Sequence, residues 1–270
     1  MTKTIFITGA SAGIGKATAK LFVAKGWQVI ATMRKPELEN ELTQLPNLTL
    51  LPLDVTNVTQ INEATQKALA LGEVDVVFNN AGYSVLGALE ATTDEEIIRQ
   101  MDTNFLGTVR VTKAFIPAFR ARQSGLFINT TSSAGLMAFP ISSIYDASKW
   151  ALEGWAESLS YELEPFGIGI KNIEPGLVAT DMAQRSVLPS HPAYAELAEK
   201  FLAAVSGPPS RMATAEHIAE VVYQAATDGQ NTLRYVCGED AKTLYAQRLA
   251  GGDEAFRQGI KQLLLGDSLQ

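Results

Sequence analysis

The feature that most constrains this chain is a series of short, almost unbroken apolar runs set apart by helix-length segments. "TIFIT" (4–8), "WQVIAT" (27–32), "LTLLPLD" (48–54), "VDVVFN" (74–79), "GLFINT" (125–130) and "IGIKNIEP" (168–175) are rich in Val, Ile, Leu and Phe and do not alternate with polar residues. Strands with one wet face alternate, whereas strands buried on both faces read as continuous runs, as in a parallel sheet covered by helices. A seventh short strand is expected at "LRYVC" (233–237). Between the runs, Ile14, Ala17, Leu21 and Ala24 recur at helical spacing and Gly26 supplies a stop. Thr92 with Glu95, or Thr93 with Glu96, can form a capping box before a long helix, and a further helix over 143–164 ends near Pro165 and Gly167. This β-α-β-α-β order predicts one α/β domain over 1–270, with a doubly wound, mainly parallel seven-stranded sheet and helices on both faces. Residues 177–213, with Pro189, Pro192, Pro208 and Pro209, read as a loosely organised lid after a strand end, and 230–270 as a C-terminal extension.

Composition narrows the function classes. With 46% hydrophobic residues the chain can bury a sizeable core, and a net charge of −7 argues against a nucleic-acid partner, which calls for a basic patch. No stretch reaches the ~18 uninterrupted apolar residues of a membrane span, and Gly9 interrupts the N-terminal apolar run too early for a secretion signal. A cytoplasmic location is the expectation. Cys237, in an apolar run, is expected to be a buried structural thiol. His191 and His217 sit apart from any ligand cluster, so no metal site is expected. Ser132, His191 and an aspartate could be drawn as a hydrolase triad, but Ser132 does not sit in a G-x-S-x-G elbow.

"TGASAGIG" (8–15) follows the first strand and opens the first helix, with Gly9, Gly13 and Gly15 spaced G-x-x-x-G-x-G. Glycine lets backbone approach a pyrophosphate closely, and the free N–H groups of a helix start favour an anion. Further along come "NNAG" (79–82), Asn104 in "MDTNFLG", Ser132 in "NTTSSAG", "YDASK" (145–149) and "EPGLVAT" (174–180). In this order and spacing the motifs resemble the short-chain dehydrogenase/reductase family over roughly residues 3–182 and the final strand, with a Rossmann-type domain.

The resemblance implies a nicotinamide cofactor held by Gly9, Ser11, Gly13, Ile14 and Gly15 in the turn, by Asp54 and Val55, and by Asn80, Ala81 and Gly82. It extends the set to Tyr145 and Lys149 and to Pro175, Gly176, Val178 and Thr180, with the threonine on the carboxamide. At the end of the second strand "VIATMRKPE" offers Arg34 and no acid before Glu37. An arginine there accommodates a ribose 2′-phosphate where an acid would hold the 2′-OH, so NADP(H) is preferred to NAD(H). Asp54 is also placed to cap the next helix start.

Tyr145 and Lys149 share one helix face. A cation ~5 Å from a phenolate stabilises it by roughly 3 kcal/mol at an effective dielectric near 20, about two pKa units, part of which desolvation returns. Lys149 is therefore expected to tune Tyr145 downward as a general acid–base, and in relatives it also binds the nicotinamide ribose. The family spacing favours Ser132 over the adjacent Ser133 for orienting the substrate oxygen, and Asn104 implies a helix kink and a water relay. A lipophilic ketone, aldehyde or secondary alcohol would meet Leu136, Met137, Phe139, Tyr83, Val85, Leu86, Val178, Met182, Val187, Leu188, Phe201 and Leu202, while Arg185 and Arg211 could reach an anionic group. "ATMRKPE" and the long C-terminal part resemble the branch of hydroxysteroid and retinol dehydrogenases and bacterial carbonyl reductases. The resemblance also implies a homodimer or homotetramer. An NAD(H)-dependent alcohol dehydrogenase and a non-catalytic NADP(H)-binding regulatory protein are the alternatives.

Overall fold

A computed structural model describes residues 2–180, 186–205 and 212–265. Seven strands form one sheet: β1 (Thr4–Ile7), β2 (Gln28–Met33), β3 (Leu48–Pro52), β4 (Val76–Asn79), β5 (Gly125–Thr130), β6 (Ile168–Pro175) and, after a small pair β7 (Val178–Ala179) and β8 (Ala213–Thr214), the edge strand β9 (Arg234–Cys237). Their order is β3-β2-β1-β4-β5-β6-β9, and every neighbouring pair is parallel. The expected doubly wound sheet is thus present. Its order reverses between β1 and β4, and in such sheets the crevice beyond the strand ends at that switch point is where ligands bind.

The continuous apolar runs have the meaning expected of them. Consecutive residues point to opposite faces, and both faces are buried. Ile5, Ile7, Val29, Ala31, Val76, Phe78, Ile128 and Ile173 pack on one side with Phe22 of α1 (Gly13–Ala24) and with Ile218 and Val222 of the helix Ala215–Thr227. Phe6, Ile30, Val77, Phe127 and Ile170 face the other side. There they meet Ile61 of α2 (Val58–Leu71), Phe115 and Phe119 of α4 (Gly107–Arg122), and Ala156 and Leu159 of α5 (Ser143–Leu163). Each fully buried Phe or Ile contributes ~1.5–3 kcal/mol by leaving water.

The capping box forms at Thr93 and Glu96, opening α3 (Asp94–Met101). The long helix expected beyond it is interrupted by a π-helical stretch over Asp102–Leu106 before α4 continues. α5 ends at Leu163, and after a 3₁₀ turn Gly167 takes φ +64, with Gln123 O only 2.6 Å from where a Cβ would sit.

Two expectations need correction. The described residues of 177–213 are more organised than the prolines suggested: they hold β7, the start of β8, a 3₁₀ turn at Pro192–Tyr194 and a helix, Ala195–Val205. Pro192 occupies the first turn position, where a missing N–H costs nothing, and Phe201 anchors the helix by burial. Second, Asp54 does not cap α2. Asn57 does, accepting from Gln60 N at 3.1 Å, while Asp54 accepts from the backbone N–H and hydroxyl of Thr56 at 2.9 and 2.7 Å. Asp181, Met182, Arg185, Pro208, Pro209 and Arg211 lie outside the described residues. The C-terminal extension supplies β9 and the helix Glu239–Leu265, broken at Gly252 (φ +79). Among the described residues no helix is long and apolar enough to cross a membrane.

Candidate active site

The ends of β1, β4 and β5 are stitched together by short polar side chains. Thr8 Oγ1 accepts from Asn80 N and Ala81 N at 2.9 and 3.0 Å. Asn80 Nδ2 donates to Thr8 O and Gly9 O at 3.2 and 3.1 Å, and Asn80 Oδ1 accepts from Thr130 Oγ1 at 3.2 Å. Asn80 therefore braces the glycine turn with its side chain. Gly9 has φ +67, and a Cβ there would lie 2.8 Å from Ala81 Cα; one on Gly15 would lie 2.4 Å from Gly9 O. Both glycines are needed for this close backbone approach.

The start of α1 is open. Ala12 at the N-cap makes no side-chain cap, and the first turn carries no acid. Its unpaired N–H groups and the helix dipole favour an anion, which fits a dinucleotide phosphate. Ser11 is exposed beside it, and Ile14 is half-buried against the core. Arg34, just past β2, is exposed and makes no ion pair among the described residues. The nearest buried acid, Glu39, is committed elsewhere, to Lys16 at 3.1 Å and to the N–H groups of Glu41 and Leu42. Burial alone would raise the Glu39 pKa, but these hydrogen bonds hold it below the usual range. Val55 is buried, and its side chain lies where a Cβ on Gly107 would reach, so only its backbone remains to be offered to a ligand. Gly13 faces Thr180, whose Cγ2 would be 3.3 Å from an added Cβ, so the stretch after β6 closes back onto the glycine turn.

Four side chains predicted from three separate motifs come together at the neighbouring strand ends. Ser132 follows β5 and caps a 3₁₀ turn over Ser133–Gly135, accepting from Ala134 N at 3.1 Å. Its hydroxyl also favours the Tyr145 phenolate, opposing the effect of burial on that phenol. Ser133 instead closes the turn through its carbonyl, which accepts from Leu136 N and Met137 N. Lys149 Nζ lies 5.7 Å from the Tyr145 ring centroid and donates to Thr130 O at 2.9 Å. Asn104 sits in the π-helical stretch and is 1% exposed. It accepts from Tyr83 N at 3.1 Å and donates to Tyr83 O at 2.9 Å and Ser148 Oγ at 3.1 Å. The extra residue of a π turn rotates Asn104 toward the site, a placement common at functional helices.

The electrostatics overturn one expectation. Tyr145 is not tuned downward: burial pushes its pKa up to about 12, the Ser132 hydrogen bond opposing and Asp146 adding repulsion. Lys149 is pushed down to about 8 by burial, with Glu153 opposing. The sequence argument treated the ammonium as a full charge beside an accessible phenol. Removing both groups from water outweighs their attraction.

Several residues that matter here were missed. Asp146 is 4% exposed and accepts from Phe139 N at 2.8 Å, so it shapes the loop between β5 and α5. Burial raises its pKa to about 7 against hydrogen bonds from Phe139 and Ser142. Its only signal in the sequence was a carboxylate on the inner face of "YDASK". Gln100 accepts from Val85 N at 2.7 Å and donates to Tyr83 O at 2.9 Å, which fixes the loop after β4. α5 itself is anchored by a ladder through the sheet: Asn79 to Asn129, Asn129 to Asn172, and Asn172 to Glu153, each at 3.0 Å, with Arg234 on Glu153 and Glu157.

Of the expected apolar walls, Val85, Leu136, Met137 and Phe201 are buried packing, whereas Phe139, Leu86 and Val187 are half-buried and Leu188 and Leu202 exposed. The loop after β4 is bonded to residues 186 and 187: Leu86 N donates to Val187 O and Val187 N to Ser84 O, and the hydroxyls of Ser84 and Ser186 lie 2.6 Å apart. His191 caps the Pro192–Tyr194 turn and His217 lies in the first turn of its helix, so both have structural roles. Cys237 is buried, as expected.

The family model of short chain dehydrogenases matches residues 3–189. An uncharacterised oxidoreductase of Schizosaccharomyces pombe is 37% identical over 226 residues, covering 83% of this chain and 96% of its own length. A solved short-chain dehydrogenase from Streptomyces avermitilis superposes with a TM-score of 0.85 at 32% identity, covering 97% of this chain and 96% of that one. One from Burkholderia cenocepacia, solved in complex with NADP, superposes with a TM-score of 0.79 at 25% identity, covering 96% of this chain and 97% of that one. The chain belongs to the short chain dehydrogenase family, and it is an oxidoreductase built on that family's single α/β domain.

Proposed function

We propose that the protein is an NADP(H)-dependent oxidoreductase that interconverts a lipophilic ketone or aldehyde and its alcohol. The observation that carries the reading is the convergence of Tyr145, with Lys149 Nζ 5.7 Å from its ring, on the end of β5 that carries Thr130 and Ser132, with Asn104 bonded to Ser148 beside them. The dinucleotide phosphates would meet the open start of α1 and the backbone at Gly9, Gly13 and Gly15, with Ser11 and Ile14 beside them. Arg34 would take the ribose 2′-phosphate, a preference supported by the commitment of Glu39 to Lys16 and by the NADP-bound relative. Asp54 and the Val55 backbone would lie along the adenine, Asn80, Ala81 and Gly82 along the adjoining ribose, and Pro175, Gly176, Val178 and Thr180 at the nicotinamide end. The cofactor, when bound, supplies or accepts the hydride.

The residues of the chain do the rest. Ser132 donates to the substrate oxygen and holds it beside Tyr145, stabilising the negative charge that develops there. With its pKa pushed up to about 12, Tyr145 is a neutral phenol through the physiological range and can protonate that oxygen. In the oxidative direction the phenol must lose its proton, and Lys149 is the group placed to stabilise the resulting charge and to bind the ribose. Asn104, locked between Tyr83 and Ser148, holds the π turn that would order a relaying water. Pairing with a second copy through α4 and α5 is supported by exposed Gly154 and Tyr161 along α5.

Following the reduced-nicotinamide absorbance with NADPH and with NADH, against aromatic ketones, steroids, retinal and short aldehydes, tests the reading. NADPH-dependent turnover that disappears in Tyr145→Phe, with cofactor binding retained, is the expected result. Cofactor binding without turnover across a broad carbonyl panel would favour a binding protein instead.

A further inference from the structure

The stretch after β6 is held from a part of the chain that the family model does not reach. Gly176 N donates to Cys237 O at 2.9 Å, continuing the β6–β9 ladder by one rung. Leu177 then leaves the sheet with both backbone groups engaged. Its carbonyl accepts from Ala213 N at 2.9 Å, and its N–H donates to the Asp240 carboxylate at 2.7 Å. From there β7 pairs with β8, and Thr180 closes onto Gly13 of the glycine turn. Residues 175–180 thus form a strap from the last strand back to the mouth of the phosphate turn.

Asp240 stands in the first turn of the helix Glu239–Leu265. The chain makes room for its carboxylate on two sides. A Cβ on Gly176 would lie 2.3 Å from both carboxylate oxygens, and one on Gly238, which has φ +94, would lie 2.6 Å from Oδ1. The Oδ1 atom is buried and has no hydrogen-bond partner among the described residues. A buried carboxylate oxygen left unsatisfied is costly, so its presence asks for a reason beyond packing. Asp228, a partly buried acid on the same side of β9, is by contrast occupied at both oxygens, by Lys171 and Tyr235, and locks β6 to β9.

We propose that Asp240 is a positioning residue for the cofactor. Its carboxylate fixes the Leu177 N–H and so sets the path of residues 175–180, presenting their backbone to the nicotinamide end and sustaining cofactor affinity. A charge-assisted bond to a backbone N–H is shorter and stronger than a neutral one, and this is the bond that holds the strap where it leaves the sheet. The proposal rests on the reading that residues 175–180 meet the cofactor.

The test titrates NADPH into the full chain by nucleotide fluorescence, for wild type, Asp240→Ala and Asp240→Asn, with kcat measured at saturating cofactor. Asp240→Ala is expected to raise the NADPH Kd about tenfold while kcat at saturation stays within about threefold. Asp240→Asn is expected to restore most of the affinity, because its amide oxygen can still accept from Leu177. Where Asp240→Ala does not fold, Gly238→Ala, whose Cβ would press on the same carboxylate at 2.6 Å and meet Gly176 N only at an ordinary contact distance of 3.6 Å, is expected to show the same loss. An unchanged Kd in a folded variant overturns the proposal and leaves the cofactor reading standing, as does an equal fall in melting temperature and kcat in both Asp240 variants with no selective effect on Kd. If wild type binds neither NADPH nor NADH, both fall together.

Discussion

The two ends of the site are built from different materials. The glycine-turn end consists of backbone: Gly9, Gly13 and Gly15 bring main chain close, an uncapped helix start offers N–H groups, and the neutral side chains of Thr8 and Asn80 brace them. The Tyr145 end consists of buried titratable side chains whose pKa values move by burial, Tyr145 to about 12, Lys149 to about 8 and Asp146 to about 7. Shape governs the first region and desolvation the second. The glycine end should therefore respond to added volume and be indifferent to pH, and the tyrosine end should respond to lost protons and tolerate isosteric change.

The sharpest separation is Tyr145→Phe, which keeps the ring and removes the proton. It is expected to lower kcat by on the order of 10²–10⁴-fold, the usual contribution of a positioned acid–base, with NADPH affinity within about twofold of wild type; steady-state kinetics beside a binding titration checks it. A large loss of affinity would mean that the two ends are not separable.

Arg34→Asp comes next. NADPH affinity is expected to fall by at least tenfold, from loss of a charge-assisted contact and gain of repulsion, while NADH use holds or improves. Comparing kcat/KM for the two cofactors reads this out, and parallel losses would count against a 2′-phosphate contact.

Gly15→Ala sets local propensity against packing. Within a helix, alanine should stabilise by ~1 kcal/mol. The added Cβ would instead meet the Gly9 backbone oxygen at 2.4 Å, which cannot swing aside as a side chain could. We expect a net loss of ~1–3 kcal/mol in urea unfolding together with weaker cofactor binding, independent of pH.

The smallest effect is the pH signature of Asp146. Its folded pKa, about 7, lies above the ordinary 3.8, so the native state binds more protons than the unfolded chain in between. Stability contributed by the protonated carboxyl is present below pH ~4 and is lost as pH rises through 7. Asp146→Asn should flatten that decline and gain ~1–2 kcal/mol at pH 8 relative to wild type, an order-of-magnitude expectation; chemical denaturation at pH 5 and pH 8 measures it. An unchanged slope would place the carboxyl in contact with water.

Local pattern made much of this legible beforehand. All seven strands of the sheet, a capping box at Thr92 or Thr93, which the structure places at Thr93, and the Tyr145–Lys149 interval follow from period, spacing and turn chemistry, each readable within a few residues. The helix Ala195–Val205 was passed over because its prolines drew the reading toward a loop, although Phe201 and its neighbours carry helical spacing. Asp54 was given a cap that Asn57 makes, because a one-turn offset decides which side chain reaches a free N–H.

By itself, the sequence determined that this chain forms a parallel sheet buried on both faces, with a glycine turn at the first strand–helix junction and a phenol and an ammonium one helical turn apart. Those properties are periodic or local, and neighbouring residues suffice to specify them. Only the tertiary structure decided that Tyr145 rises rather than falls in pKa, that Asn57 rather than Asp54 caps α2, and that Asp240 reaches Leu177 across 63 residues of chain. Burial depends on everything packed around a group, and a contact between distant segments depends on where the whole chain has been folded; neither is written in the few residues that carry a motif.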